Sequence, residues 1–290
     1  MGRDHPAIEV HAAWTDPPSL PLGDAVGAVV DDHQPFAIEE RPGATVRVYF
    51  LSIADRNAAL TALQSAHGSG WRTRALTVTA DDWATRSQAD LTHIQVDRVI
   101  VAPPWDIPTT SPADNSVLVQ IRPSLGFGSG HHPTTRLALR GLQTLALRDR
   151  EVLDIGTGSG VLAIAAVKLG AAHAVGIDRD PDALASASDS VDANDVSAAV
   201  TLQLSDMTAL GSMTTPVIVA NLTGATLTRF AATLARTTRP GGHLVLSGVL
   251  DHEEASVVDA YRNQARLTWR ATEDEWVGHV WELPENVAAV

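Results

Sequence analysis

The stretch Val152-Leu153-Asp154-Ile155-Gly156-Thr157-Gly158-Ser159-Gly160-Val161-Leu162 narrows the fold more than any other in the chain. An apolar run of strand character closes on an acidic residue, turns through glycines at 156, 158 and 160, and enters a helix rich in Ala and Leu. Glycine lets the backbone turn tightly and lets a ligand approach without meeting a Cβ. The first amides of the helix that follows are left free to donate. A strand, glycine turn and helix in that order is the ligand-binding corner of an open α/β sheet.

Two ligand classes use such a corner. A dinucleotide fold wants G-x-G-x-x-G/A, which Gly158, Gly160 and Ala163 satisfy, but shifted two residues past the strand end. A pattern of the D-x-G-x-G-x-G type begins at the strand end with Asp154 and matches at Gly156, Gly158 and Gly160, with Leu162 at its last position. A carboxylate there repels a pyrophosphate and suits a cation, such as the sulfonium amino acid of S-adenosylmethionine. The acid favours the methyl donor. On the turn alone, a dinucleotide or a purely structural bend stays open.

From residue 121 onward strands and helices alternate, which predicts a mostly parallel sheet covered on both faces. Strands are expected at 151–155, 174–178, 200–204, 217–221, 243–247, 267–271 and 277–283, and helices at about 133–147, 159–169, 181–193, 224–238 and 252–263. Ligands of such sheets sit at the carboxyl ends of the strands. Three polar residues close strands there. Asp178 ends the second and is placed to accept from both ribose hydroxyls, unless it is a loop acid. Asp206 follows the third and either accepts from an adenine amino group or is a solvated loop carboxylate. Asn221 ends the fourth and either aims its carbonyl at an incoming amine or caps the helix near Gly224.

Upstream, residues 6–79 read as strand, short helix, strand, strand, helix, strand. Val46, Val48 and Phe50 alternate with Arg47 and Tyr49, the period of a half-buried strand. This predicts a small α+β domain over 1–79, of ferredoxin-like pattern. Residues 80–120, with a strand at 97–102 and prolines at 103, 104, 108 and 112, are expected to be a stiff linker. The larger domain then covers 121–290. The chain has no cysteine, so disulfides and thiolate metal sites are excluded. Its net charge of −13 is spread over both halves, which argues against long nucleic-acid contacts and suits a basic protein partner. Without a secretory signal or an apolar run of membrane length, it is expected in the cytoplasm.

A last constellation is Leu125-Gly126-Phe127-Gly128-Ser129-Gly130-His131-His132-Pro133-Thr134-Thr135. So flexible and polar a segment, just ahead of the sheet, is suited to fold over a bound ligand, with Thr135 offering its hydroxyl. His131 and His132 have no carboxylate or third histidine near in sequence, so no metal site is expected.

That segment resembles the F-G-T-G-x-H-P-T-T signature of the PrmA family of ribosomal-protein methyltransferases, which modify large-subunit protein eleven. Leu169-Gly170-Ala171, Ile177-Asp178 with Asp180-Pro181, Val219-Ala220-Asn221-Leu222, Pro240-Gly241-Gly242, Leu246-Ser247-Gly248-Val249-Leu250 and Glu275-Trp276 continue the likeness in order. So do Asp82-Trp83-Ala84 and Pro104-Trp105 in the linker. The likeness runs from about residue 80 to the end and is weaker before it. It implies a doubly wound, Rossmann-like, seven-stranded class I methyltransferase domain behind a small α+β domain that grips the substrate. It implies S-adenosylmethionine as cofactor and methyl transfer to lysine or α-amino groups of the ribosomal protein, by a monomer. It puts donor contacts at Thr135, Gly156, Asp178 and Asn221, and it adds Phe127 and Gly128 to the candidates Asp154, Gly158, Gly160 and Asp206. Ser129 stands where the family has Thr, Thr157 where it has Cys, and Leu222-Thr223-Gly224 where it has an Ile-Leu run. The alternative is a methyltransferase of the same fold acting on another protein or a small molecule.

Overall fold

A computed structural model describes residues 5–12, 22–30, 33, 35–41, 43–67, 70–78, 91–108, 115–122, 130–211 and 213–285. Its contacts divide the chain into two compact units, Met1–Ala89 and Asp90–Val290.

In the first unit, strands β1 (His5–Ala12), β2 (Pro35–Arg41), β3 (Thr45–Phe50) and β4 (Trp71–Val78) are joined by helices α1 (Leu22–Val30) and α2 (Ile53–His67). The sheet order is β2-β3-β1-β4 with every neighbour antiparallel, the ferredoxin-like arrangement. Period-two alternation sends Ile8, Val10, Val46, Val48 and Phe50 to one face, where they bury against Val26, Val30, Ala59 and Leu63. The opposite face carries Glu9, Arg47 and Glu39 side by side in register.

The second unit opens with β5 (Ile94–Val96), β6 (Val99–Ala102) and β7 (Val117–Gln120), a small sheet within the stretch read as linker. Helix α3 (Pro133–Gln143) follows, and then the main sheet: β8 (Glu151–Ile155), β9 (His173–Asp178), β10 (Val200–Leu204), β11 (Thr215–Asn221), β12 (Thr238–Leu250), β13 (Arg266–Glu273) and β14 (Trp276–Glu282). Its order is β10-β9-β8-β11-β12-β14-β13. The first five strands run parallel, whereas β14 is antiparallel to both β12 and β13. Helices α4 (Val161–Lys168), α5 (Pro181–Ala193), α6 (Gly224–Arg229), α7 (Ala231–Thr237) and α8 (Glu254–Tyr261) make the crossovers.

Both faces of this sheet are buried, so its central strands are nearly continuous apolar runs. Val152, Val217, Val219 and Val245 pack on one side with α3 and α4. Leu153, Ile155, Ile218, Leu244 and Leu246 pack on the other with α6, α7 and α8. Each such side chain contributes roughly 1.5–3 kcal/mol when fully buried. No helix among the described residues is long and apolar enough to cross a membrane.

Several elements differ from their sequence expectation, three of them most. Helix α3 stops at Gln143 because Thr144 turns its hydroxyl back onto the Gly141 carbonyl at 2.7 Å. The helix expected over 224–238 is two, broken at Phe230. Strand β12 runs past 243–247 at both ends, with a register shift between Leu246 and Val249 where Ser247-Gly248 bulges. Gly248 has φ +88°, and a Cβ there would lie 2.3 Å from the Leu222 carbonyl oxygen. Only glycine lets the two strand tips approach so closely. A Gly248→Ala variant is expected to lose about 2–3 kcal/mol of stability through backbone strain and collision, read as a lower denaturant midpoint at unchanged slope.

Candidate functional site

Four adjacent strands, β10, β9, β8 and β11, bring their carboxyl ends to one edge of the sheet. Connections leave β8 toward β9 on one side, and β11 returns on the other, so β8 stands at the topological switch point, where open α/β sheets open a crevice. Each strand tip carries a residue singled out from the sequence: Asp206 after β10, Asp178 on β9, Asp154 and Gly156 at β8, and Asn221 on β11.

The turn after β8 is built from its glycines. Gly156, Gly158 and Gly160 have φ of +72°, +54° and +81°, the left-handed region that side chains disfavour. The Gly156 and Thr157 amides both donate to the Ile177 carbonyl, at 2.9 and 3.0 Å, which ties the bend to β9. A Cβ on Gly156 would lie 2.9 Å from the Leu222 side chain, so the β11 tip closes the other flank. Gly160 takes the cap position of α4 with no side chain to satisfy the helix amides.

Asp154 lies beneath this bend, fully buried. Its Oδ2 accepts from the Thr157 hydroxyl at 2.6 Å and from the Ala163 amide at 3.1 Å, while its Oδ1 is buried with no hydrogen-bond partner. Loss of water pushes its carboxyl up to about 7; the two donors pull it down and the nearby Asp178 charge pushes it up again. Asp178 is half-buried on the surface of the same bend, accepting from the Gly158 amide through Oδ2 and from the Asp180 amide through Oδ1, each at 3.0 Å. Two backbone donors thereby fix its carboxylate across the gap between β8 and β9.

Asp206 is more exposed. It caps the single turn Met207–Ala209, accepting from the Thr208 amide at 2.7 Å and from the Thr208 hydroxyl, and these bonds hold its carboxyl below the usual range. Asn221 ends β11 half-buried, and the helix cap comes instead from Thr223, whose hydroxyl accepts from the Thr226 amide. The Asn221 side chain makes no hydrogen bond among the described residues and stays available at the edge.

Helix α3 supplies the far wall. His132 caps it and meets the Trp276 ring edge-on at 5.1 Å between centroids. Burial, with Arg136 close by, holds the His132 imidazole below its ordinary value, so it is neutral at pH 7. Thr135 sits in the first turn, 1% exposed, with its hydroxyl lacking any partner. A buried polar atom left unsatisfied costs about 1–3 kcal/mol, so Thr135 Oγ1 and Asp154 Oδ1 mark where a polar ligand group would be received. Phe127 and Gly128 lie outside the described residues. Among the described residues no three His, Asp or Glu side chains gather closely enough to hold a metal.

Sequence reasoning passed over two residues that hold the site together. The Thr157 hydroxyl anchors Asp154, and the Ser247 hydroxyl donates to the Thr134 carbonyl at 2.8 Å, latching α3 to the β12 tip. The Thr157 contact was open to detection, since a hydroxyl three residues after a buried carboxylate is a local pair. The Ser247 latch spans 113 positions and has no local signal.

The Asp154 shift sets a sign for stability against pH. The carboxyl ionises near 3.8 when unfolded and about 7 when folded, so stability falls as pH rises through that window and stays lower above it. Denaturant titrations of Asp154→Asn across this range are expected to show the variant gaining on the parent chain from about pH 4 to pH 7, then levelling off.

Residues 26–282 match the sequence profile of the family described as ribosomal protein L11 methyltransferase (PrmA). The ribosomal protein L11 methyltransferase of Geobacter sulfurreducens is 39% identical over 251 residues, covering 82% of each chain. Its namesake in Edwardsiella ictaluri is 35% identical over 289 residues, 93% of this chain and 97% of that one. A crystal structure of ribosomal protein L11 methylase from Lactobacillus delbrueckii subsp. bulgaricus superposes with a TM-score of 0.61 at 25% identity, covering 67% of this chain and all of that one.

Proposed function

The chain belongs to the ribosomal protein L11 methyltransferase family, and from that premise we propose that it uses S-adenosylmethionine to methylate lysine and α-amino groups of ribosomal protein L11. The observation that carries this reading is the left-handed glycine turn at the β8 tip, with the Asp178 carboxylate held beside it by two backbone amides. Bare backbone next to a fixed carboxylate fits a ligand with an amino-acid end and a ribose.

Asp178 would hold the ribose by its two hydroxyls, using the lone pairs left over from the Gly158 and Asp180 amides. Asp206 would take the adenine amino group. Gly156, Gly158 and Gly160 would give the ligand backbone to lie against, Thr135 would offer its hydroxyl, and Asp154, folded under the bend, would act on the ligand through charge. Phe127 and Gly128 would cover it. When bound, the donor supplies a methyl group already activated by the positive sulfur.

The protein's task is then to orient the acceptor, and good orientation lowers a barrier by up to ~7–11 kcal/mol. A lysine ammonium, with pKa ~10.4, has no lone pair, so the site must favour the neutral amine. The apolar flank from Leu222 does so by excluding water, and Asn221 aims the nitrogen through its side-chain carbonyl. The small unit, residues 1–79, would grip the ribosomal protein; within the stretch read as linker, β5, β6 and β7 belong to the larger unit. The enzyme would act in the cytoplasm as a monomer, and its charge of −13 suits a basic protein substrate over nucleic acid.

Mass spectrometry of ribosomal protein L11, incubated with the chain and isotopically labelled donor, is expected to show added methyl groups on amines. Transfer only to other ribosomal proteins or to small molecules would overturn the substrate. In calorimetry, Asp178→Ala is expected to bind the donor more than tenfold more weakly, a loss above ~1.4 kcal/mol, while its melting curve verifies that it folds.

A further inference from the structure

Among the described residues, Asp154 carries the one carboxylate oxygen buried without a partner. Its surroundings explain why its charge is sensitive to what lies above the bend. On β9, Gly176 stands in register beside it, and Asp178 is the charged group that bears on it. On β11 its neighbour in register is Val219, which is apolar. The bend and α4 offer only the Thr157 hydroxyl and the Ala163 amide, and Lys168 stands at the opposite end of that helix. Helix α3 packs on the same face of the sheet, but its Arg136 is engaged by Glu273 at 2.5 Å and its cap His132 is neutral. Arg179 stands beside Asp178 at the same strand tip, where its charge bears on Asp206, but no cation is among the groups that act on Asp154.

We propose that Asp154 is a proton-linked charge sensor: it holds its proton in the ligand-free protein and releases it to solvent when the cationic donor binds above the glycine turn. The inference rests on the methyltransferase reading above. The energetics follow from three contributions. Burial and the Asp178 anion both disfavour ionisation, so the carboxyl keeps its proton up to about pH 7. A positive charge on the ligand side reverses that balance, because opposite charges close together in a poorly solvated site attract strongly. The O–H bond of the carboxyl then breaks, its electron pair stays on oxygen, and the proton goes to water.

The device distinguishes the reactant from what remains after transfer. S-adenosylhomocysteine keeps the amino-acid ammonium but is a thioether without the sulfonium charge, so it brings one positive charge fewer and stabilises the Asp154 anion less. The proton returns in part to the carboxyl as the methyl group leaves, and the preference for the charged ligand weakens. Binding that releases a proton strengthens as pH rises. Donor affinity is therefore expected to climb as pH rises towards about 7 and to level off above it, by up to about tenfold in all for each unit by which binding lowers the carboxyl pKa, while thioether affinity climbs less.

Titration calorimetry of the full chain at about pH 6.5, in several buffers of different ionisation enthalpy, counts the protons. The expected result is release of a large fraction of one proton per S-adenosylmethionine bound, less with S-adenosylhomocysteine, and none with Asp154→Asn. Equal release for both ligands, or release that persists in the variant, would overturn the sensor. Donor binding with no proton release would also overturn it while leaving the methyltransferase reading intact. Absence of donor binding to the parent chain would remove both. Infrared difference spectra of the parent chain give a second readout that needs no variant: the protonated carboxyl band is expected to vanish on adding the donor and to persist in part on adding the thioether.

Discussion

Everything at the crevice depends on a carboxyl group that has lost its water. Asp154 closes an apolar strand and is carried by it into the sheet, where only two donors meet it. Those donors lie three and nine residues further along, at the two ends of the glycine bend. One side chain therefore holds strand, bend and helix together, and the left-handed glycines allow the chain to come back onto it. Remove the carboxyl, and the bend keeps its angles but not its anchor.

The bend is also shared with the next strand. Gly156 and Thr157 donate to Ile177, and Gly158 donates to Asp178, so the second strand tip is bound to the first by three backbone amides. The Asp178 carboxylate thus ties the bend to its neighbouring strand. The fourth strand reaches the bend by packing, through Leu222 against Gly156. These contacts are local in space and leave the crevice little freedom of shape.

Much of this could be read from the residues, because the determining signals are local. The glycine spacing from 156 to 160, the Asp180-Pro181 helix start and the strand-and-helix rhythm each depend on a few neighbouring positions, and β8, β10 and α5 have the expected bounds. Where the outcome depends on distant partners, the sequence is silent. The bulge at Ser247-Gly248 exists because Leu222 lies against it, and the end of α3 is set by a hydroxyl turning back on its own helix. Asn221 shows the same limit. Its position favoured a binding role but left a cap open, and the capping bond comes from Thr223 instead. Asp154 shows it most sharply, since charge at a strand tip suggested an open contact, whereas the carboxyl is folded under the bend with one oxygen unmet.

The latch between Ser247 and Thr134 makes the tip of β12 a mechanical junction. The Ser247 hydroxyl fastens α3, its carbonyl accepts from the Leu222 amide at 2.9 Å, and the Leu222 side chain lies over Gly156. A displacement of α3 is therefore passed through one serine to the β11 tip and on to the bend.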